Sequence, residues 1–504
     1  MATARELLGI LLDAGSFRSW DVPLADPPAA DQGYRDRLAE ARRRTGVDEA
    51  VLTGQGLVRG WPVAVAVCEF GFLGGSIGVA AAERLVAAVE RAGADGLPLL
   101  AAPSSGGTRM QEGAVAFLQM VKVTSAITRH VRRGLPYLVY LRHPTTGGVF
   151  ASWGSLGHVT VAEPGALIGF LGPRVYAELR GAPFPAGVQT AENLLAHGLV
   201  DAVVPAVDLP AYLARALEVL TAPHRALPGP PPAEPAWPGL SRAGRPAPLA
   251  VAPAPAWESV ERSRRVDRPG VRALLGLAGD QVTSLCGTGA GESGLGLILA
   301  LAAFGAAPCV LAGHDRTAAA PFGPAGLRAV RRGIRLAGEL GLPMVSVIDT
   351  AGAELSREAE EGGLAGEIAR CVADLLELPS PTVCVLLGQG AGGAALALLP
   401  ADRVVAAEHG WLSPLPPEGA AAILYRDTGQ ADRVAAEQGI SSADLLASGV
   451  VDLVVPERPD AAVEPSAFLH RLGRVLAGEL LELLRRDPAG RLAGRSARYR
   501  RLGR

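Results

Sequence analysis

The chain repeats itself. Gly147 and Gly392 stand 245 residues apart, and so do Gly165 and Gly410. Between them "TGGVFASWGSLGHVTVAEPG" (146–165) runs alongside "AGGAALALLPADRVVAAEHG" (391–410), and "HGLVDAVVP" (197–205) matches "SGVVDLVVP" (448–456). A third pair, "LAAPSSGGTR" (100–109) and "VIDTAGAELS" (347–356), falls in the same order. Three matches in one order imply duplication, and a period this long implies two copies of one domain rather than a solenoid.

Each copy alternates strand, glycine turn and helix. "WPVAVAVCEF" predicts a strand, "GFLGGSIG" a turn, and "VAAAERLVAAVERAG" a helix with apolar residues at helical spacing. "LPLLAAP" and "PMVSVIDT" predict buried strands followed by glycine and then by helices, and "LPYLVYLRHP" and "PTVCVLLGQ" predict strands that end at Gly-Gly. Repeated β-then-α units imply sheets covered by helices, an α/β class. Residues 223–256, dense in Pro and Ala, predict a semi-rigid linker between the copies. The expected organisation is a helical segment over 1–50, one domain over 51–222, the linker, a second domain over 257–466, and over 467–504 an amphipathic helix that ends in a loose basic tail.

Composition then narrows the function. With 49% hydrophobic and 19% charged residues the chain can fill two cores, and a net charge of -2 argues against a nucleic-acid binder. Of 48 basic residues only Lys122 is a lysine, so the abundance of arginine reflects a compositional bias and carries little functional weight. The five cysteines are scattered with no C-x-x-C pair, which fits neither a zinc ribbon nor a disulfide framework and points to a reducing cytoplasm. Two uncharged runs, 293–313 and 378–401, are long enough to span a bilayer, but Gly and Pro break both into strand-sized and helix-sized pieces. The expectation is a soluble protein with no signal peptide and no membrane span.

The glycines carry the chemistry. Sites on such sheets lie at the carboxyl ends of strands, where the first N–H groups of the next helix have no internal partner. Adjacent glycines let a substrate approach that backbone with no Cβ in the way, which makes an oxyanion hole. Gly106–Gly107 and Gly147–Gly148 offer this in the first copy, Gly352 and Gly392–Gly393 in the second. A tight turn or a close packing contact is the competing reading for each. Arg109, in the first turn of a helix where a cation opposes the dipole, either faces a phosphate or carboxylate or pairs with Glu112. Lys122 reads as an ordinary exposed helix residue. No histidine falls in a metal-ligand spacing, and no metal is expected; His143, before the Thr145–Gly148 turn, is the histidine placed to line a site.

"GGSIG", "PSSGGTRMQEG", "LPYLVYLRHPTTGGVFASWG" and "AEPGALIGFLGPRV" resemble the beta subunit of bacterial acetyl-CoA carboxylase carboxyltransferase. "PAGLRAVRRGIRLAGELGLPMVSVIDTAGA", "GQGAGGAALALLPADRVV" and "PEGAAAILYRD" resemble its alpha subunit. The resemblance covers roughly 50–460 as a beta–alpha fusion and implies two tandem crotonase-like domains of layered ββα units. It implies transfer of a carboxyl group from carboxybiotin, held on a biotin carboxyl carrier protein, to acetyl-CoA or propionyl-CoA, in a homodimer or larger homo-oligomer. The carrier and a biotin carboxylase are implied to be separate chains, because neither an A-M-K-M-like biotinylation site nor an ATP-grasp-sized extra domain is present. Gly106–Gly107 and Gly392–Gly393 match the two oxyanion pairs, one for the thioester oxygen and one for the biotin ureido oxygen, with the assignment between them open. Gly74, Gly75, Arg109, Gly147, Gly148 and Gly352 are the implied substrate-binding positions. This chain reads "GHDRT" (313–317) where the alpha type has an "HQKG"-like stretch, and residues 1–50 lack the four-cysteine zinc ribbon of the beta type. A decarboxylase component acting on malonyl or methylmalonyl thioesters, and a non-catalytic assembly subunit, are the competing functions.

Overall fold

A computed structural model describes residues 2–23, 31–225, 240–242 and 255–502. The chain divides into two compact units, Met1–Thr221 with Leu285–Gly291, and Ala222–Ser284 with Glu292–Arg504.

The first unit is built on a seven-stranded sheet. Its central strands, Leu99–Ala102, Tyr137–Leu141 and Val159–Ala162, are buried at every position. Burial on both faces is why they read as unbroken apolar runs rather than alternating ones. From one edge the order is Arg18–Ser19, Val51–Val58, Trp61–Cys68, Leu99–Ala102, Tyr137–Leu141, Val159–Ala162 and Ala202–Val203. The first two pairings are antiparallel and the rest parallel. Helices Val79–Ala94 and Gly113–Val131 make the crossovers and bury Leu85, Val89, Val123 and Ile127 in one core with the sheet.

The second unit repeats this plan. Strands Leu297–Phe304, Ala307–His314, Met344–Thr350, Thr382–Ala391, Arg403–Ala407 and Leu453–Val455 follow in the same spatial order, with an antiparallel hairpin first and parallel pairs after it. Helices Pro324–Leu340 and Leu364–Glu377 are the crossovers. Register repeats as well: Leu99 lies opposite Tyr137 and Met344 opposite Thr382. Ser105 bridges Thr145 and Thr350 pairs with Gly390, each residue 245 positions from its counterpart. This corrects the third sequence match, which set 100–109 against 347–356; the ladder equates Ser105 with Thr350, two residues away from that alignment.

Both uncharged runs are core. The first holds the hairpin strand Leu297–Phe304 and most of its partner, the second the strand Thr382–Ala391 and the helix Gly392–Leu398. Among the described residues no helix is long and apolar enough to cross a membrane. Most of the expected linker, 223–256, lies outside the described residues; within it Ser241–Arg242 adds an antiparallel edge strand to Leu453–Val455.

Two expectations at the ends are corrected. Residues 1–50 are not a separate entry segment: Ala4, Leu7 and Leu11 are buried, and Arg18–Ser19 extends the sheet of the first unit. The basic tail is not loose either, because Pro488–Arg501 forms a helix with Arg491 and Arg495 buried. Arg495 donates to both oxygens of Asp402, at 2.9 and 2.7 Å, and to the carbonyls of Leu375, Leu378 and Ser380.

Candidate active site

In the first unit, three turns at the carboxyl ends of neighbouring parallel strands lie backbone against backbone. Gly106 N–H donates to Gly74 C=O at 2.9 Å, Ile77 N–H to Gly107 C=O at 2.9 Å, and Thr146 N–H to Ser105 C=O at 2.8 Å. No side chain fits between them. A Cβ on Gly75 would lie 2.0 Å from Ser104 O, and one on Gly107, at φ +106°, would lie 3.3 Å from Gly148 N. Gly74, Gly75, Gly106, Gly107, Gly147 and Gly148 are thereby brought together.

The turn after Leu99–Ala102 is held by a side chain that the sequence reading missed. Gly107 N–H donates to Ser105 Oγ at 3.0 Å, and that hydroxyl is fully buried. The second unit builds the same clamp: Gly352 N–H donates to Thr350 Oγ1 at 3.1 Å, and the hydroxyl donates to Gly352 C=O at 2.8 Å. Ser105 and Thr350 are equivalent positions, so a hydroxyl two residues before each glycine was the available signal. This is the local ST-turn chemistry of Ser and Thr, and it fixes a glycine at a φ that other residues rarely adopt.

The clamp decides which N–H groups are open. Gly106 and Gly107 both donate within the protein, so the expectation that they form an oxyanion pair is not met; their donors are spent on holding the turn. Gly147 N–H is spent on Phe170 C=O at 2.9 Å. Gly148 is the second residue of the short helix Gly147–Phe150, and among the described residues its N–H meets no acceptor. In the second unit, Gly392 and Gly393 open the helix Gly392–Leu398, and among the described residues both N–H groups are free of protein acceptors. Helix starts leave such donors unpaired and carrying partial positive charge. A Cβ on Gly393 would strike Ile368 Cδ1 at 2.7 Å, so helix Leu364–Glu377 packs directly on this turn.

Arg109 is corrected. Its side chain is fully buried and pairs with Glu49, with one Nη1 bond of 2.9 Å, while Glu112 lies 3.7 Å away. Ser76 C=O also accepts from it, at 2.7 Å. A guanidinium so enclosed ties the 1–50 segment to the turn and has no face left for substrate. Glu49, seen in the sequence only as part of a helical lead-in, supplies the anion. Glu112 instead accepts from Val79 N–H at 2.6 Å, at the start of the preceding helix Val79–Ala94.

The remaining candidates are placed as follows. Lys122 is half-exposed and pairs with Glu83. His143 Nδ1 accepts from Leu167 N–H at 3.0 Å, which engages it in loop structure. In the "GHDRT" stretch burial pushes His314 down to about 3, so it stays neutral. Asp315 pairs with Arg272 at 2.6 Å, and Arg316 with Asp349 at 3.1 Å. Asp349 is buried, which pushes its carboxyl up against the opposing pull of Arg316 and Arg268. No cluster of three metal-ligating side chains occurs among the described residues.

Comparison with known proteins gives concordant matches. A family model described as carboxyl transferase domain matches residues 1–228, and one described as acetyl co-enzyme A carboxylase carboxyltransferase-like matches 252–503. A probable biotin-dependent acyl-coenzyme A carboxylase beta3 subunit from Mycobacterium tuberculosis (strain ATCC 25618 / H37Rv) is 59% identical over 99% of this chain and 98% of its own. The acetyl-coenzyme A carboxylase carboxyl transferase subunits beta/alpha of Parafrankia sp. (strain EAN1pec) are 39% identical over 99% of this chain and 86% of theirs. Among solved structures, the transcarboxylase 12S crystal structure with methylmalonyl-coenzyme A bound superposes at a TM-score of 0.74 with 21% identity, covering 96% of this chain and 90% of that one. The fold is therefore α/β with two tandem crotonase-like domains.

Proposed function

The chain belongs to the carboxyltransferases of biotin-dependent acyl-CoA carboxylases, and from that premise we propose that it moves a carboxyl group from carboxybiotin on a carrier protein to acetyl-CoA or propionyl-CoA. The products would be malonyl-CoA or methylmalonyl-CoA. The observation that carries this reading is the repeated turn: each unit follows a central parallel strand with a glycine-opened helix in which, among the described residues, Gly148 N–H in the first unit and Gly392 and Gly393 N–H in the second meet no protein acceptor.

Carboxybiotin, as a co-substrate, supplies the activated carboxyl group. The chain's part is backbone electrostatics. In the first unit the donor is Gly148 N–H, with Gly106–Gly107 and Gly147 packed into a wall beside it; in the second, the donors are Gly392 and Gly393. Fixed donors of this kind stabilise an oxygen that gains charge in the transition state, and loss of one costs about 10²–10³ in rate. One turn would face the thioester oxygen and the other the ureido oxygen. Gly74, Gly75 and Gly352 keep those turns free of side chains, which supports a binding role for the surrounding backbone.

The partners we propose are a biotin carboxyl carrier protein, a separate biotin carboxylase and a second copy of this chain. Helix Gly113–Val131 supports the last, because Val115, Phe117, Leu118 and Val121 are exposed at 59–66% on it. Apolar side chains clustered in this way mark an association surface.

The test is reverse transfer with purified protein, malonyl-CoA or methylmalonyl-CoA, and biocytin as acceptor. Biocytin-dependent appearance of acetyl-CoA or propionyl-CoA by mass spectrometry is the expected result, and it ranks the acyl groups. Loss of carboxyl without biocytin would favour a decarboxylase, and acyl-CoA binding without turnover a non-catalytic subunit.

A further inference from the structure

The C-terminal helix Pro488–Arg501 closes a cavity of about 530 Å³ that lies wholly within the second unit. Six arginines line it: Arg403, Arg486, Arg491, Arg495, Arg498 and Arg501. Three carboxylates, Asp402, Asp452 and Asp487, share the same wall.

The pairing inside leaves positive charge over. Asp402 serves both Arg495, at 2.7 Å, and Arg491, at 3.5 Å. Asp452 serves Arg498 at 2.5 Å, and Asp487 is spent on capping its own helix through Gly490 N–H at 2.6 Å. Arg403 turns to Glu479 and Glu482, and Arg486 to Glu482. Arg501 meets no carboxylate among the described residues. One guanidinium N–H donor, Arg498 Nε, is buried with no hydrogen-bond acceptor, and Arg491 Nε reaches only Asp402, at 3.5 Å and outside hydrogen-bond geometry. Buried donors without partners are costly and call for an acceptor. Burial also pulls Arg491 below the usual arginine range, and the neighbouring Arg495 charge adds to that pull while Asp402 opposes it.

We propose that this cavity binds a small molecule carrying two or more phosphate groups. Arginine forks match phosphate oxygens in planar, paired geometry, the volume falls within the range of small-molecule sites, and the six arginines of the lining outnumber its three carboxylates. The site shares no lining residue with the glycine turns and does not rest on the function proposed for them.

The experiment is calorimetric titration of the full-length protein with inorganic pyrophosphate, orthophosphate and ATP. Pyrophosphate should bind saturably, one per chain, at least 10-fold more tightly than orthophosphate. Arg501→Gln removes an exposed guanidinium with no carboxylate partner among the described residues, so it should keep the wild-type melting temperature and reverse-transfer rate while weakening pyrophosphate at least 10-fold. Arg498→Gln should weaken it as much or more. Tighter binding of ATP than pyrophosphate would identify the source as a nucleotide, and equal binding as inorganic polyphosphate. Absence of saturable binding, or binding untouched by Arg501→Gln and displaced by malonyl-CoA, would overturn the proposal.

Discussion

Ser105 and Thr350 hold the backbone of Gly107 and Gly352 in the same way, a hydroxyl oxygen accepting the N–H two residues on. Each substitutes for a backbone acceptor that a strand end cannot supply. Ser105→Ala would leave a buried N–H without a partner, at a cost of about 1–3 kcal/mol. Urea denaturation should register that loss in the first unit, and reverse transfer should slow because the Gly148 donor rests against this turn. Thr350→Val should act likewise in the second unit but more weakly, since Thr350 is only half-buried. The glycines themselves were legible in the sequence, because a Cβ would clash at Gly75 and Gly393 and a positive φ holds Gly107, Gly147, Gly352 and Gly392. Which of them present an open N–H was not legible, because that depends on hydrogen bonds made by Gly74 and Phe170, which are distant in the chain.

Among the elements, the strands and crossover helices follow directly from apolar runs and helical periodicity. The C-terminal helix does not. Its sequence is polar and rich in arginine, which reads as a solvated extension, yet Arg495 inserts between Asp402 and the carbonyl ends of the helix Leu364–Glu377. A guanidinium can be buried when carboxylate and carbonyl oxygens take its donors, and nothing local in the sequence announces those acceptors. Arg495→Met would strand Asp402 in a buried site, a loss expected to cost about 3–5 kcal/mol. A lowered urea midpoint for the second unit is the readout. Helix Leu364–Glu377 carries Ile368 against Gly393, so the same variant should also loosen that turn and reduce kcat.

At the scale of the molecule, duplication has produced two units with one ladder register and different N–H groups left open at the equivalent turns. Under the proposed function, Gly148→Val and Gly393→Val should each abolish transfer, while the milder alanine variants should raise KM for malonyl-CoA in one case and for biocytin in the other. Acid stability belongs to this scale too. Burial alone would raise Glu457, but the hydrogen bonds and charge of Arg268 outweigh it and hold the carboxyl below its ordinary value of 4.5. A depressed carboxylate stabilises the fold above its unfolded pKa, and that stability is lost as pH falls through the folded value. The urea midpoint of the second unit should therefore drop from about pH 5 downward, and Glu457→Gln should flatten the slope. The sequence by itself determined the duplication, the α/β class and the glycine turns, because periodicity and the absence of Cβ atoms are local facts. Only the tertiary structure decided that Arg109 is bound to Glu49, that Gly106 and Gly107 spend their donors, and that the basic tail is a docked helix. Each of those outcomes depends on which hydrogen-bond partner arrives from elsewhere in the chain, and burial makes that choice binding.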